Sequence, residues 1–166
     1  AWGKYWLEKQ EYIDSEKIGI IGGSYGGFMT MAAMTFMPEE FKVGVNIYGV
    51  TNWVRTLRSI PAYWESSRKQ LYNEMGNPYS KDSVRLYSIS PLFHANNIKN
   101  PVMILQGAND PRVLQIESDE MVKAVRDNGI YVEYILFEDA GHGFAKKQQQ
   151  IEGYSKILAF LNSNLN

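Results

Sequence analysis

Three side chains in this sequence are of the types that nucleophilic hydrolysis needs: a serine at 24, an aspartate at 110 and a histidine at 142. Serine is a weak nucleophile at neutral pH, so its attack requires an imidazole to take the hydroxyl proton and later return it to the leaving group. A carboxylate on the far side of the ring would fix the tautomer and stabilise the charge that forms. Ser24 stands in Gly22-Gly23-Ser24-Tyr25-Gly26, which fits G-x-S-x-G, a strained strand-to-helix turn that pushes the serine Oγ outward. On this reading Gly22 and Gly26 are steric requirements, because a Cβ two positions to either side of the serine would meet neighbouring backbone. The N–H of Tyr25 opens the following helix, where unpaired donors and the positive end of the macrodipole suit an oxyanion.

Each feature has a plainer reading. A glycine-rich strand-to-helix turn also cradles phosphate, although neither G-x-x-x-x-G-K-[ST] nor the G-x-G-x-x-G spacing is present. Asp110 before Pro111 is a common turn former, and His142 between two glycines is an ordinary loop histidine. What sets the three apart is joint placement. Each follows a strand pattern at its C-terminal end, the edge of an open parallel sheet where ligands bind. The other histidine, His94 in Pro91-Leu92-Phe93-His94, has no strand before it. The chain order Ser, Asp, His is that of the α/β-hydrolases. These groups need no cofactor, and two distant histidines without H-E-x-x-H offer no metal cluster.

The elements that must position these groups alternate. The apolar run Ile18 to Ile21 reads as a strand over 17–21, and the helix after Ser24 carries Phe28, Met31, Ala32 and Thr35 at helical spacing as far as Pro38. Val43 to Tyr48, Pro101 to Gln106 and Tyr131 to Phe137 read as three further strands, with Pro101 to Gln106 continuously apolar as in a strand buried on both faces. Leu114, Ser118, Met121, Val122 and Val125 mark a helix face closed by Asn128-Gly129 as its left-handed cap. The last helix places Ile151, Tyr154, Ile157, Leu158, Leu161 and Leu165 on one stripe. Residues 2–12 read as a short helix with Trp2, Trp6 and Leu7 on one side. The aromatic stretch from Gly49 to Ser90 reads as helices near Trp53 to Leu57, Ala62 to Met75 and Lys81 to Tyr87, an insertion over the strand ends that shapes a pocket. Four strands alternating with helices imply right-handed crossovers and a parallel sheet.

Composition bounds the rest. The 166 residues are one domain's worth, long enough to bury about 70% of the unfolded surface. A net charge of −1 gives no electrostatic reason to expect nucleic acid or an acidic membrane as partner. The absence of cysteine removes disulfides and thiol catalysis but leaves the compartment open. No apolar run approaches the ~18 residues of a membrane span, and the first residues lack the basic and apolar regions of a signal peptide.

Three motifs, Gly22-Gly23-Ser24-Tyr25-Gly26-Gly27, Gly107-x-x-Asp110-x-Arg112-Val113 and Gly141-His142-Gly143-Phe144, together resemble the prolyl oligopeptidase family of serine peptidases, particularly its acylaminoacyl-peptidase and dipeptidyl-peptidase-like members. The resemblance spans nearly the whole chain. It implies that Ser24, Asp110 and His142 form the triad of a peptidase acting on short peptides, with the Tyr25 N–H as one oxyanion donor. It also implies that Val50, Trp53 and Val113 line the pocket for the side chain before the scissile bond, and that Arg112 holds a substrate carbonyl. Val50 and Trp53 as plain core, and Arg112 as a surface ion pair, are the alternatives. A carboxylesterase of the same fold, or a catalytically incompetent fragment, are the alternatives for the whole. Two positions depart from the family: Gln106-Gly107 stands where Gly-His-Gly is usual, and Thr56 stands where dipeptidyl peptidases place a pocket tyrosine, which argues against strict proline specificity.

By the same resemblance this chain is the C-terminal part of an α/β-hydrolase domain, with the upstream strands and a β-propeller domain absent. The upstream tyrosine that supplies the family's second oxyanion donor is then missing as well, and losing one such donor costs on the order of 10²–10³ in turnover. The nucleophile strand would pair on one side with a strand outside this chain, so its apolar edge is a template for self-association. Sedimentation of the isolated chain is expected to show association through that edge, and a clean monomer with a solvated nucleophile strand would contradict it.

Overall fold

The computed structural model describes residues 2–166. Four strands, β1 (Ile20–Gly23), β2 (Gly44–Ile47), β3 (Val102–Gly107) and β4 (Val132–Phe137), form one parallel sheet in the order β1-β2-β3-β4. Among the described residues seven α-helices accompany them: α1 (Trp2–Leu7), α2 (Tyr25–Phe36), α3 (Trp53–Arg58), α4 (Arg68–Met75), α5 (Asp82–Ser88), α6 (Gln115–Asp127) and α7 (Lys147–Leu165). The expected α/β architecture is present, and the left-handed cap at Gly129 sits at φ 75°.

β3 shows why a continuous apolar run belongs in the middle of such a sheet. All six of its residues are buried, and alternation sends them to different layers. Val102 and Ile104 pack with Met31 and Met34 of α2 and Met121, Val122 and Val125 of α6. Met103 and Leu105 pack on the opposite face with Val45, Phe137, Ile157 and Phe160, under α7. A third cluster, Phe28, Val50, Trp53, Leu57, Leu86 and Val113, lies where the helical insertion meets the loops that leave β2 and β3.

Several elements differ from the sequence reading. β1 begins at Ile20, not at 17 or 18, because Ser15–Lys17 form a 3-10 turn whose Glu16 N–H donates to the Asp14 side chain. The strand instead runs on to Gly23, so Gly22 and Gly23 belong to the sheet. Helix α1 stops at Leu7 and buries no residue. The helix expected over 62–75 is a 3-10 segment, Ala62–Ser67, followed by α4.

Only part of the apolar stripe of α7 is its buried face: Ile157, Leu161 and Leu165 pack in the core beneath the sheet. Ile151, Tyr154 and Leu158 are 57, 65 and 60% exposed, whereas Gln149, Gly153, Ile157 and Phe160 are buried. Gly153 lies in that buried face, and a Cβ there would make ordinary contact with Leu105 and Phe137 at 3.4 and 3.6 Å.

The elbow glycines divide differently from expectation. A Cβ on Gly22 would lie 3.0 Å from Gly26 Cα and closer still to the Gly26 carbonyl, so Gly22 is required. A Cβ on Gly26 itself meets nothing within 4 Å, so that expectation was wrong: Gly26 is the surface struck, not a position that must lack a side chain. The second requirement falls on Gly27, whose Cβ would lie 2.7 Å from Gly49 Cα. Gly22→Ala and Gly27→Ala should each lower unfolding free energy by about 1–3 kcal/mol through overpacking. Gly26→Ala, in the first turn of α2, should be neutral or raise it by up to about 1 kcal/mol, and urea titration of the three variants checks the ranking.

Candidate active site

The turn between β1 and α2 holds Ser24 at φ 55° and ψ −117°, a left-handed conformation that costs a non-glycine residue about 1–3 kcal/mol. Main-chain bonds hold it there. The Ser24 N–H donates to the Ile47 carbonyl at the end of β2 (2.9 Å), and the Ser24 carbonyl accepts from the Phe28 N–H (3.0 Å). Its hydroxyl makes no capping bond and is left for another partner. Tyr25 is the first residue of α2, so its N–H has no acceptor within the helix.

Asp110 sits in the turn after β3, 4% exposed. Its Oδ1 accepts from the N–H groups of Arg112 (2.8 Å) and Val113 (3.0 Å), so the turn is built around the carboxylate. Gln106, at the family's departure, reinforces the same turn from below: its amide donates to the carbonyls of Gly107 and Val113, and its oxygen accepts from Ser118 Oγ, all at 2.8–3.0 Å. His142 lies in the loop after β4, between Gly141 and Gly143, the latter at φ 130°. That loop crosses the end of β3 at Gly107, where a Cβ would strike the backbone of Ala140 and Gly141.

The three groups meet. His142 Nδ1 lies 2.6 Å from Asp110 Oδ2, and His142 Nε2 lies 2.8 Å from Ser24 Oγ. Because a carboxylate only accepts, the proton belongs on Nδ1, and Nε2 is left with a lone pair facing the serine hydroxyl. This is the geometry in which an imidazole can take the Oγ proton during attack. His94 takes no part, packing against Phe36 at 5.0 Å between ring centroids.

A cavity of about 330 Å³ opens beside Ser24 and His142. Val50, Trp53 and Val113 line it and are 5, 6 and 3% exposed, so these residues belong both to the core and to the cavity wall. Sequence reasoning missed the outer wall, Ile60, Trp64, Leu71 and Met75, which the 62–75 insertion and its approach supply. Thr56 also lines it. Arg112 stands at the cavity with its guanidinium 5.4 Å from the Trp64 ring centroid and its Nε donating to the Tyr63 hydroxyl at 3.4 Å. Among the described residues it makes no ion pair, so the surface-pair alternative is not what is observed.

Tyr48 was also missed. It follows β2 at φ 42°, the other non-glycine residue with positive φ among the described residues, and its ring centroid lies 4.8 Å from that of His142. Phe144 packs edge-on against the Tyr48 ring in turn, at 5.5 Å between centroids. Burial pushes the Tyr48 phenol upward from its ordinary range. No spacing rule singles out such a residue: only its strained backbone, invisible in sequence, marks it.

Fold and geometry define the class: a parallel α/β-hydrolase fold with a serine, an imidazole and a carboxylate in hydrogen-bonded sequence at the C-terminal ends of its strands. The prolyl oligopeptidase family model matches residues 1–166, and the chain belongs to that family. It is 44% identical over 151 residues to dipeptidyl peptidase family member 6 of Caenorhabditis elegans, covering 90% of this chain and 20% of that one. It is 45% identical over 144 residues to dipeptidyl aminopeptidase BIII of Pseudoxanthomonas mexicana, covering 86% and 21%. A puromycin-hydrolyzing peptidase of Mycobacterium tuberculosis superposes with a TM-score of 0.89 at 27% identity, over 99% of this chain and 25% of that one. The chain thus spans about a fifth of the length of the curated relatives it matches.

Proposed function

We propose that this chain carries the nucleophile, base and orienting carboxylate of a serine peptidase acting on short peptides. The observation that supports this most is the continuous path from Ser24 Oγ through His142 to Asp110, at 2.8 and 2.6 Å, opening onto an apolar cavity. In this reading Ser24 Oγ attacks the scissile carbonyl while its proton passes to His142 Nε2. The carbonyl oxygen, now an oxyanion, faces the Tyr25 N–H. As the tetrahedral adduct collapses, the proton moves from Nε2 to the leaving amine, and the acyl group remains on Ser24 as an ester. Water, deprotonated by the same nitrogen, then releases the acid and restores the hydroxyl. Asp110 stays ionised throughout and steadies the imidazolium.

The cavity supports an apolar side chain before the scissile bond, seated between Val50, Trp53 and Val113, with Arg112 at its rim for a substrate carbonyl. The position where Thr56 stands leaves room that a tyrosine would fill, which favours a broad apolar preference over strict proline.

The rest of the enzyme is also part of the proposal. β1 is an edge strand with Ile21 52% exposed, while Ile18 and Ile20 pack into the core. An upstream strand of the hydrolase domain would pair with it and bring the second oxyanion donor, and a β-propeller domain would account for much of the length by which the relatives exceed this chain.

In the complete natural protein, aminoacyl p-nitroanilides with an apolar residue should be hydrolysed, and Ser24→Ala should reduce that turnover by about 10⁴-fold or more. Turnover of p-nitrophenyl esters alone would make the protein a carboxylesterase, and a folded protein that turns over neither would make the site inert.

A further inference from the structure

Glu117 is a carboxylate that the chemistry above does not use. It lies in the first turn of α6 with its side chain 1% exposed. Its Oε2 accepts from the N–H groups of Thr51 (3.0 Å) and Asn52 (2.6 Å) and lies 3.0 Å from Thr51 Oγ1. Thr51 Oγ1 shares its proton with the Glu117 carbonyl at 2.8 Å. Its Oε1 accepts from Thr56 Oγ1 (3.2 Å) and stands 3.9 Å from Arg55 Nη1. Burial pushes this carboxyl above its ordinary range, opposed by the bonds from Thr51 and Asn52 and by the Arg55 charge.

The placement of these partners is what carries meaning. Every one belongs to residues 51–56, the segment that leaves β2 and opens α3. Val50 and Trp53, two walls of the cavity, lie immediately before and within that segment, and Thr56 lines the cavity as well. Glu117 itself is four residues beyond Val113, the facing wall, and α6 is anchored to β3 through the Gln106 bond to Ser118. The carboxylate therefore fastens the wall that follows β2 to the wall that follows β3. A buried charge is costly to keep, and a purely cohesive tie at this point could be made by apolar side chains. Main-chain N–H donors at Thr51 and Asn52, however, can be held only by an acceptor.

We propose that Glu117 is a positioning residue that sets the width of the acyl side-chain pocket, and so its selectivity for apolar side chains, by holding Val50 and Trp53 at a fixed distance from Val113. This rests on the peptidase reading of Ser24 and His142. The pocket should discriminate only through substrates that enter it, whereas the proton path from Ser24 to Asp110 touches none of these bonds.

The test compares kcat and KM of the complete natural protein on a phenylalanyl p-nitroanilide, whose side chain fills the pocket, and on p-nitrophenyl acetate, which leaves it empty. Glu117→Ala should lower kcat/KM for the phenylalanyl substrate by about 10–100-fold, mostly through KM. The same variant should change acetate hydrolysis by less than about twofold. Glu117→Gln should restore the phenylalanyl value to within about threefold, because its carbonyl still accepts from Thr51 and Asn52 and its amide can donate to Thr56. If Glu117→Ala does not fold, Thr51→Ala, which keeps the main-chain donor and removes the hydroxyl, should show the same selective loss in weaker form. An unchanged phenylalanyl-to-acetate ratio in the folded variant, or a loss shared equally by both substrates, overturns the proposal. A wild-type protein that hydrolyses neither substrate overturns the peptidase reading, and this inference with it.

Discussion

The structure depends on backbone approaching backbone more closely than any side chain would allow. Gly22 lies against Gly26 across the elbow, and Gly27 lies against Gly49, which follows the end of β2. These contacts let the chain reverse from β1 into α2 within one residue, and Ser24 absorbs the strain at φ 55°. Asn46 seals the second contact by accepting from the Gly49 N–H at 2.8 Å. Ser24 is therefore held by main chain on both sides, and the turn does not engage its hydroxyl. A comparable approach at Gly107 brings the histidine loop over the end of β3. Removing side chains at three points is what allows three strand ends to deliver their polar groups to one place.

Around that frame the polar and apolar parts of the site do different work. Asp110 orders its own turn with one carboxylate oxygen and orients His142 with the other. The same residue thus links the loop's conformation to the imidazole's. The apolar cavity is built by loops and short helices that have no regular pairing with one another, so its shape must be fixed by side chains. Glu117, Gln106 and Ser90, whose Oγ accepts from the Trp53 N–H, are the buried polar groups that tie these loops down. Buried polar groups of this kind define a single arrangement where apolar packing alone would permit several.

The site was legible in sequence where chemistry demands residue types at fixed places in the chain. Ser24, Asp110 and His142 could be found because each follows a strand, and strands of β-branched and apolar residues are easy to read. The parallel sheet followed from their alternation with helices. Features that depend on who packs against whom were not legible. The apolar residues of α7 suggest one stripe, but only Ile157, Leu161 and Leu165 of it pack inward, while Ile151, Tyr154 and Leu158 face out. The motif alone points to Gly26 as a position that must lack a side chain, although the steric demand lies with its neighbour Gly27, because the partner is Gly49, more than twenty residues away. Glu117 reads in sequence as an ordinary charged residue of a helix's first turn. Only the fold reveals that Thr51 and Asn52 surround it. Tyr48 is hidden for the same reason, since no pattern announces a left-handed backbone at a tyrosine.

The central claim is that Ser24 is made nucleophilic by His142. It is tested most directly by treating the complete natural protein with a fluorophosphonate and mapping the adduct by peptide mass spectrometry. The account predicts a single adduct on Ser24 that forms slowly or not at all in His142→Ala. Adduct on another residue, or labelling of Ser24 at an unchanged rate without the imidazole, would contradict it.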